Sequence, residues 1–282
     1  MIFKRREHLT TESSVLTFNE AIIIIQEVAM KKTLIILSAL LIPSLSPAYP
    51  GGTLMYVTDM VPACASCHSA AKAEYMPELP PEVAEKETAE YKHYGLVRMP
   101  APPSPYMELT DDQKEKVIRE AKNIDTNSSI SITAPARVKK GEDFKVSIKV
   151  KGGDGPVICV MLVDRPLRFQ ARPASSEGWM ILDEPVVKGQ DGKVQTAWFD
   201  KRIKGLKRNL NFTIIMDEKL DLEKGIFPTG EIVYTLKAPS TSGTYSLTAA
   251  FLYGTENTEK AGFFQRPSGR ILFSEEKKVH VE

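Results

Sequence analysis

The stretch Phe144-Lys145-Val146-Ser147-Ile148-Lys149-Val150 alternates strictly between apolar and polar residues. Successive side chains of a β-strand point to opposite faces, so this alternation predicts a strand with one buried face and one solvated face. The turn-forming run Gly152-Gly153-Asp154-Gly155-Pro156 follows at once. The stretch therefore indicates a half-buried strand that ends at a turn.

Similar short runs continue to the C-terminus, with Gly-, Pro- or Asp-bearing turns between them and no helical pattern. About eight or nine strands in this arrangement predict a β-sandwich. The further predicted strands are 130–133, 157–163, 193–199, 211–216, 232–236, 245–252, 271–274 and 278–281.

The run Ser242-Gly243-Thr244-Tyr245-Ser246-Leu247 resembles the start of a late strand in immunoglobulin-like domains. That resemblance implies a corner hydrogen bond from the hydroxyl of Tyr245. The cysteine pair of antibody domains is missing, and Cys159 stands in an apolar run that predicts a buried thiol. Trp179 and Trp198 are expected to pack in the sandwich. No convincing catalytic set is visible in this part of the chain.

The N-terminal part contains the run Cys64-Ala65-Ser66-Cys67-His68. This C-x-x-C-H spacing is the attachment signature of c-type haem. Two thiols on one turn can add to the two vinyl groups of a porphyrin, and the histidine that follows is held under the iron. Cys64 and Cys67 are thus the predicted covalent attachment points of one haem c, and His68 is its predicted proximal iron ligand.

Two other interpretations of the C-x-x-C spacing are less well supported by this sequence. A zinc site needs two further ligands, but the remaining cysteine and histidines form no second ligand pair. A thioredoxin-like redox pair normally lies in a βαβ unit, and no such pattern is present.

The surrounding region, from about 51 to 124, resembles a class I cytochrome c domain. The resemblance rests on the C-x-x-C-H run, on Met99-Pro100, and on Leu109-Thr110-Asp111-Asp112 ahead of a helix. Thr110 is expected to cap that helix, and the polar segment 123–129 to act as a linker. The resemblance implies a multi-domain protein, with a small, mainly α haem domain at 49–126 followed by an all-β immunoglobulin-like sandwich at 127–282.

The distal iron ligand has several candidates. Met99 leads, because its Met-Pro loop precedes the capped helix and thioether ligation suits electron transfer. Met107, in the same loop, and His93 are alternatives, and so is the absence of a protein ligand.

The N-terminus predicts export. Met30-Lys31-Lys32, the apolar residues 33–45 and Ser46-Pro47-Ala48 match the three regions of a secretory signal peptide, too short to span a membrane. We expect residues 1–29 to be a non-native extension, translation to start at Met30, residues 30–48 to be cleaved, and no integral span to remain. The product would be periplasmic or secreted, where haem is attached covalently.

The whole chain carries a formal net charge of +1, which gives no indication of nucleic acid as a partner. The densest basic run, 201–208, indicates either a solvated loop or a docking patch for an acidic redox partner. The sequence thus predicts a carrier of single electrons between periplasmic redox proteins, rather than an enzyme. The alternatives are an electron-accepting subunit of a periplasmic oxidoreductase and a haem-based sensor or gas-binding protein.

Overall fold

The computed structural model describes residues 72–77, 79–102, 104, 106–166, 171–200, 209–216, 219–255 and 269–282. Within these ranges most of the regular structure is strand, in two six-stranded sheets. The strands are β1 Ser129–Thr133, β2 Arg137–Val138, β3 Asp143–Lys151, β4 Asp154–Val163, β5 Met180–Ile181, β6 Val186–Lys188, β7 Val194–Gln195, β8 Phe212–Met216, β9 Thr229–Lys237, β10 Gly243–Gly254, β11 Gly269–Phe273 and β12 Lys277–Val281.

The first sheet has the order β1-β3-β9-β6-β7, with β5 also paired to β9. The second has the order β2-β12-β10-β4-β8, with β11 also paired to β10. Strand pairs are antiparallel except β2 with β12, which is parallel. Apolar residues of both sheets share one core, and the order of the long strands is that of an immunoglobulin sandwich.

The alternating stretch from Phe144 to Val150 forms β3 as predicted. Phe144, Val146, Ile148 and Val150 are buried, and the residues between them face outward. The expected corner bond of Tyr245 is also confirmed, because its hydroxyl donates to the Thr241 carbonyl at 2.9 Å. Further core contacts come from Trp179, Trp198 and Cys159, which are buried as predicted.

The predicted strand 193–199 is largely wrong. Only Val194–Gln195 pairs in a sheet, and Ala197–Asp200 forms a helical turn. Trp198 packs its ring against Phe199 and Phe212 from that turn, 5.1 and 5.6 Å between ring centroids. The aromatic residues are therefore buried without the alternation that a strand would need.

The helical elements precede the sandwich for the most part. Thr110 and Gln113 cap the longest helix reciprocally, at 3.3 and 2.8 Å, which confirms the predicted cap. A helical turn at Gly95–Arg98 leads into the predicted Met-Pro loop. The helices are α1 Pro81–Lys86, a π-helical turn Glu90–Tyr94 that continues as α2 Gly95–Arg98, α3 Asp111–Asn127 and α4 Ala197–Asp200, with 3₁₀ turns at Ala73–Tyr75 and Ala174–Glu177.

The prediction of a separate, mainly α haem domain is wrong. The described residues from 72 to 282 belong to one compact unit that is mainly β. Ile124 of α3 lies in the same buried cluster as the sandwich core, and α3 continues through most of the expected linker. Few apolar residues are available to the helices alone, so they complete their burial against the sandwich.

The junction of α3 and β1 is locked locally. The Ser128 hydroxyl donates to the Ile124 carbonyl at 2.8 Å and accepts from the Gly153 amide at 3.1 Å. Gly152 has a φ of +105°, and a Cβ there would lie 2.1 Å from Ser128 Oγ. Glycine is therefore required where the β3–β4 turn meets the end of the helix.

Candidate functional site

The predicted haem-attachment residues Cys64, Cys67 and His68 lie outside the described residues, and so do 1–29, the signal peptide 30–48 and the basic run 201–208. The described part does contain the three candidates for the distal ligand. Met99, Met107 and His93 differ sharply in burial and in their polar contacts.

Met99 ends α2 and turns its chain out of the helix toward Pro100. Its backbone N–H donates to the carbonyls of Gly95 and Leu96, at 3.2 and 3.3 Å, whereas its side chain is 39% exposed. Met107 follows in the next loop and is 40% exposed. Both methionines are therefore partly exposed, in contrast to His93.

His93 is buried instead, beside the guanidinium of Arg270. The Nη2 group of Arg270 contacts Nδ1 of the imidazole. Arginine carries only donors, so Nδ1 must accept and the proton of a neutral ring lies on Nε2. Metal ligation needs an unprotonated ring nitrogen. In this arrangement Arg270 occupies one nitrogen of His93 and a proton occupies the other.

Arg270 belongs to a buried polar cluster centred on Asp125. The Asp125 carboxylate accepts from the Tyr94 hydroxyl at 2.6 Å, from the Tyr253 hydroxyl at 3.0 Å and from Arg270 Nε at 3.4 Å. We call His93, Tyr94, Asp125, Tyr253 and Arg270 the Asp125 cluster. It joins α3 and the π-helical turn to β10 and β11 of the second sheet.

The cluster is strongly desolvated. The Arg270 side chain is 2% exposed, and its guanidinium lies over the Tyr94 ring, 5.6 Å from the centroid. Burial, and after it the charge of Asp125, raises the pKa values of Tyr94 and Tyr253 above that of free tyrosine. Both phenols therefore remain neutral donors to the carboxylate.

The arrangement is suited to holding elements together. Asp125 receives donors from three side chains, and Arg270 reaches both a carboxylate and an imidazole. Its members come from distant parts of the chain, and Asp125 and Arg270 were not singled out in the sequence. One feature of the sequence could have indicated this cluster. Arg270 is a charged residue at an inward-facing position of a strand, and such a residue needs a buried partner.

A cavity next to a sheet edge holds no catalytic set among the described side chains that line it. This cavity, of about 620 Å³, lies where the edges of the two sheets meet. Its Gln195 amide bonds the backbone N–H and carbonyl of Met216, each at 2.9 Å, and so closes the edge of β8. In the described residues, no group of three or more His, Cys, Asp or Glu side chains is placed to hold a metal ion.

Among the described residues, none of the helices is both long and apolar enough to span a bilayer.

Comparison with known proteins yields no family model and no curated protein that matches. Similar solved structures include a PapD-like domain of human CEP192, with 10% identity over 55% of this chain and 85% of that chain, at a TM-score of 0.22. AvmM, which catalyses macrocyclization in alchivemycin A biosynthesis, has 10% identity over 55% and 87% at a TM-score of 0.27. CfaE, the adhesive subunit of the CFA/I fimbria of enterotoxigenic Escherichia coli, has 11% identity over 55% and 48% at 0.28. Likeness at this level assigns neither a family nor a function.

Proposed function

We propose that this protein is an exported c-type haem protein that carries single electrons between redox partners. The observation that carries the proposal is the spacing of Cys64, Cys67 and His68, which supplies two thioether bonds and a proximal imidazole for one haem. The bound haem would supply reversible one-electron exchange at its iron, and the chain would tune the potential by axial ligation and burial.

Chain length supports a position for the haem next to the helices. Lys72, the first described residue, lies four positions after His68, so their Cα atoms are at most about 14 Å apart. Lys72 leads directly into the 3₁₀ turn Ala73–Tyr75. The Asp125 cluster fixes the following helices on the sandwich. In this proposal the sandwich supports the haem-bearing segment and is not a detached module.

The donor groups described above fit thioether ligation better than a second imidazole. Met99 and Met107 expose their sulfur-bearing side chains, while His93 is engaged by Arg270. Met99 also follows a short helix and precedes Pro100, which limits its backbone freedom. We therefore propose Met99 as the distal ligand, with Met107 as the alternative.

Covalent attachment is the decisive test. The chain is produced in a bacterium with a working haem-attachment system, denatured, and extracted with acidic acetone. We expect the haem to remain on the polypeptide, with a mass equal to the chain from Tyr49 plus one haem. The Cys64→Ser/Cys67→Ser variant should be colourless. Cys159→Ser, which changes a buried thiol of the sandwich, should keep its haem.

A colourless wild-type protein, or one that binds zinc in place of haem, would overturn the proposal. If haem is attached, the spin state separates electron carriage from gas sensing. A low-spin, six-coordinate spectrum supports the carrier, and a five-coordinate, high-spin spectrum supports a sensor with an open distal position. Copurification with a periplasmic oxidoreductase would assign the protein as a subunit of that enzyme.

A further inference from the structure

The two sheets differ in what they present to solvent. Much of the outward side of the second sheet is buried, with Met161 and Ile214 at 0% and 2% exposure, although Lys278 and His280 at its β12 edge are exposed. The outward side of the first sheet is open, and Lys145 and Lys149 of β3 are exposed on it. The first sheet therefore presents an open face across its central strands β3 and β9.

This face carries excess positive charge. We define the basic face as Lys145, Lys149, Lys151, Lys188 and Lys237 around Val186. Pairing in register places these residues on one side of β3, β9 and β6, since Lys145 lies opposite Thr235, Lys149 opposite Glu231, and Val186 opposite Val233.

Two acids on the face are each matched by one lysine. Asp143 pairs with Lys237 at 2.7 Å, and Glu231 pairs with Lys188 at 3.0 Å. The Lys188 contact lowers the pKa of Glu231, so this acid is ionised at neutral pH. The other three lysines, all on β3, make no ion pair within the described part of the chain. Lys149 lies opposite Glu231 and helps to lower its pKa, and Lys151 lies over the Phe227 ring at 5.4 Å. Five lysines against two acids still leave the face with excess positive charge for a partner.

The centre of the face is apolar. Val186 is 45% exposed and pairs in register with the partly buried Val233. Hydroxyl side chains of Ser131, Thr133 and Thr235 lie on the same side of neighbouring strands. An apolar centre with a polar, charged rim is the usual composition of a protein–protein interface.

We propose that the basic face is a docking surface for an acidic protein. Charge complementarity selects the partner, and the exposed valine pair and hydroxyl groups supply the contact at its centre. A membrane surface fits less well, because the apolar centre consists of two valines where lipid-binding surfaces bring Trp, Phe or Leu to the acyl boundary, and because two of the five lysines are already paired with acids. This proposal uses no residue of the haem motif and stands or falls separately from it.

Docking of this kind is weak and sensitive to salt. Each exposed ion pair changes the dissociation constant by about two- to fivefold. At low ionic strength the field of the face also raises the association rate. Binding should therefore weaken steeply between about 20 and 200 mM salt, since the Debye length shrinks over that range.

The test uses the full chain and poly-L-glutamate of about 20 residues as the probe. Affinity is measured by titration at low salt, and the contact site by amide shifts in NMR spectra. We expect binding with shifts at Ser147, Val233 and Thr235. The double variant Lys145→Glu/Lys149→Glu should weaken binding about tenfold. The control Lys139→Glu/Lys140→Glu makes the same charge change at the exposed β2–β3 turn and should change binding by less than about twofold.

Equal weakening by both double variants would overturn the proposal, because net charge and not the face would then govern binding. Absence of binding at low salt would overturn it as well. Vesicles of phosphatidylglycerol form the second arm. If they bind more tightly than poly-L-glutamate, and with the same dependence on Lys145 and Lys149, the face is a membrane surface and the acidic protein is excluded.

Discussion

Asp125 and Arg270 are 145 residues apart in the chain and form a buried ion pair, with Arg270 Nε 3.4 Å from Asp125 Oδ2. The pair connects the last turn of α3 to β11. Because both side chains are nearly inaccessible to water, the pair is expensive to break from one side only. It therefore provides the most direct test of how firmly the helices are held on the sandwich.

Asp125→Asn should destabilise the folded chain by about 3 kcal/mol, since it leaves the Arg270 charge buried without a counter-ion. The measurement is urea unfolding at pH 7. The exposed pair Arg137–Glu282 provides the control, and Glu282→Gln should cost less than about 0.5 kcal/mol. Equal effects of the two variants would contradict the buried role of Asp125.

Stability should fall at alkaline pH. The pKa values of Tyr94 and Tyr253 are raised, chiefly by burial and then by Asp125. Above about pH 10 the unfolded chain loses these protons while the folded chain keeps them, so the free energy of unfolding drops by about 1.4 kcal/mol per pH unit for each tyrosine. Below about pH 10 the contribution of the two tyrosines to the free energy of unfolding is present in full.

The checking measurement is urea unfolding at pH 9, 10 and 11. Tyr94→Phe should unfold more easily than wild type at pH 9, because the bond to Asp125 is lost, but should show a shallower decline above pH 10. An unchanged slope in this variant would mean that Tyr94 does not contribute to the alkaline transition.

The tyrosine corner should contribute measurably to stability. Tyr245→Phe removes the hydrogen bond to the Thr241 carbonyl and should cost about 1 kcal/mol. Tyr91→Phe is the comparison, because Tyr91 is 58% exposed and its change should lie within about 0.5 kcal/mol. Thermal unfolding of the two variants distinguishes a corner bond from a general loss of hydroxyl groups.

Two buried threonines should respond in opposite directions to the same substitution. The Thr213 hydroxyl is buried without a hydrogen-bond partner, so Thr213→Val should stabilise the chain by up to about 1 kcal/mol. Thr248 donates to the Asp164 carbonyl at 3.4 Å, and Thr248→Val should cost about 1 kcal/mol. If Thr213→Val destabilises to the same extent, an internal water molecule must bond the Thr213 hydroxyl.

The distal ligand is tested in the haem-loaded chain and rests on the proposed function. Thioether ligation gives a weak ferric charge-transfer band in the far red, and Met99→Ala should abolish it. Met107→Ala, which removes an equally exposed thioether, should leave it intact. Loss of the band in Met107→Ala alone would transfer the assignment to Met107.

The sequence predicted elements best where buried residues recur at a regular interval along the chain. β3 could be placed from its alternation, and the cap of α3 from Thr110 and Gln113. β2, β5 and β6 have two or three residues each, too few to show a period of two, and they were missed. The strand expected at 193–199 failed because Trp198 and Phe199 are buried from a helical turn.

By itself, the sequence determined the long strands of the sandwich, the capped helix, the corner hydrogen bond of Tyr245 and the C-x-x-C-H run on which the haem proposal depends. Each of these depends on residues close together in the chain, whose spacing carries the physical requirement. Only the tertiary structure decided that the helices pack on the sandwich as part of one unit. That outcome depends on Asp125 meeting Tyr253 and Arg270, and no local period encodes a pairing over more than 120 residues. The basic face was likewise decided by strand pairing, because the register of β3, β9 and β6 brings lysines from distant parts of the chain to one side of the sheet.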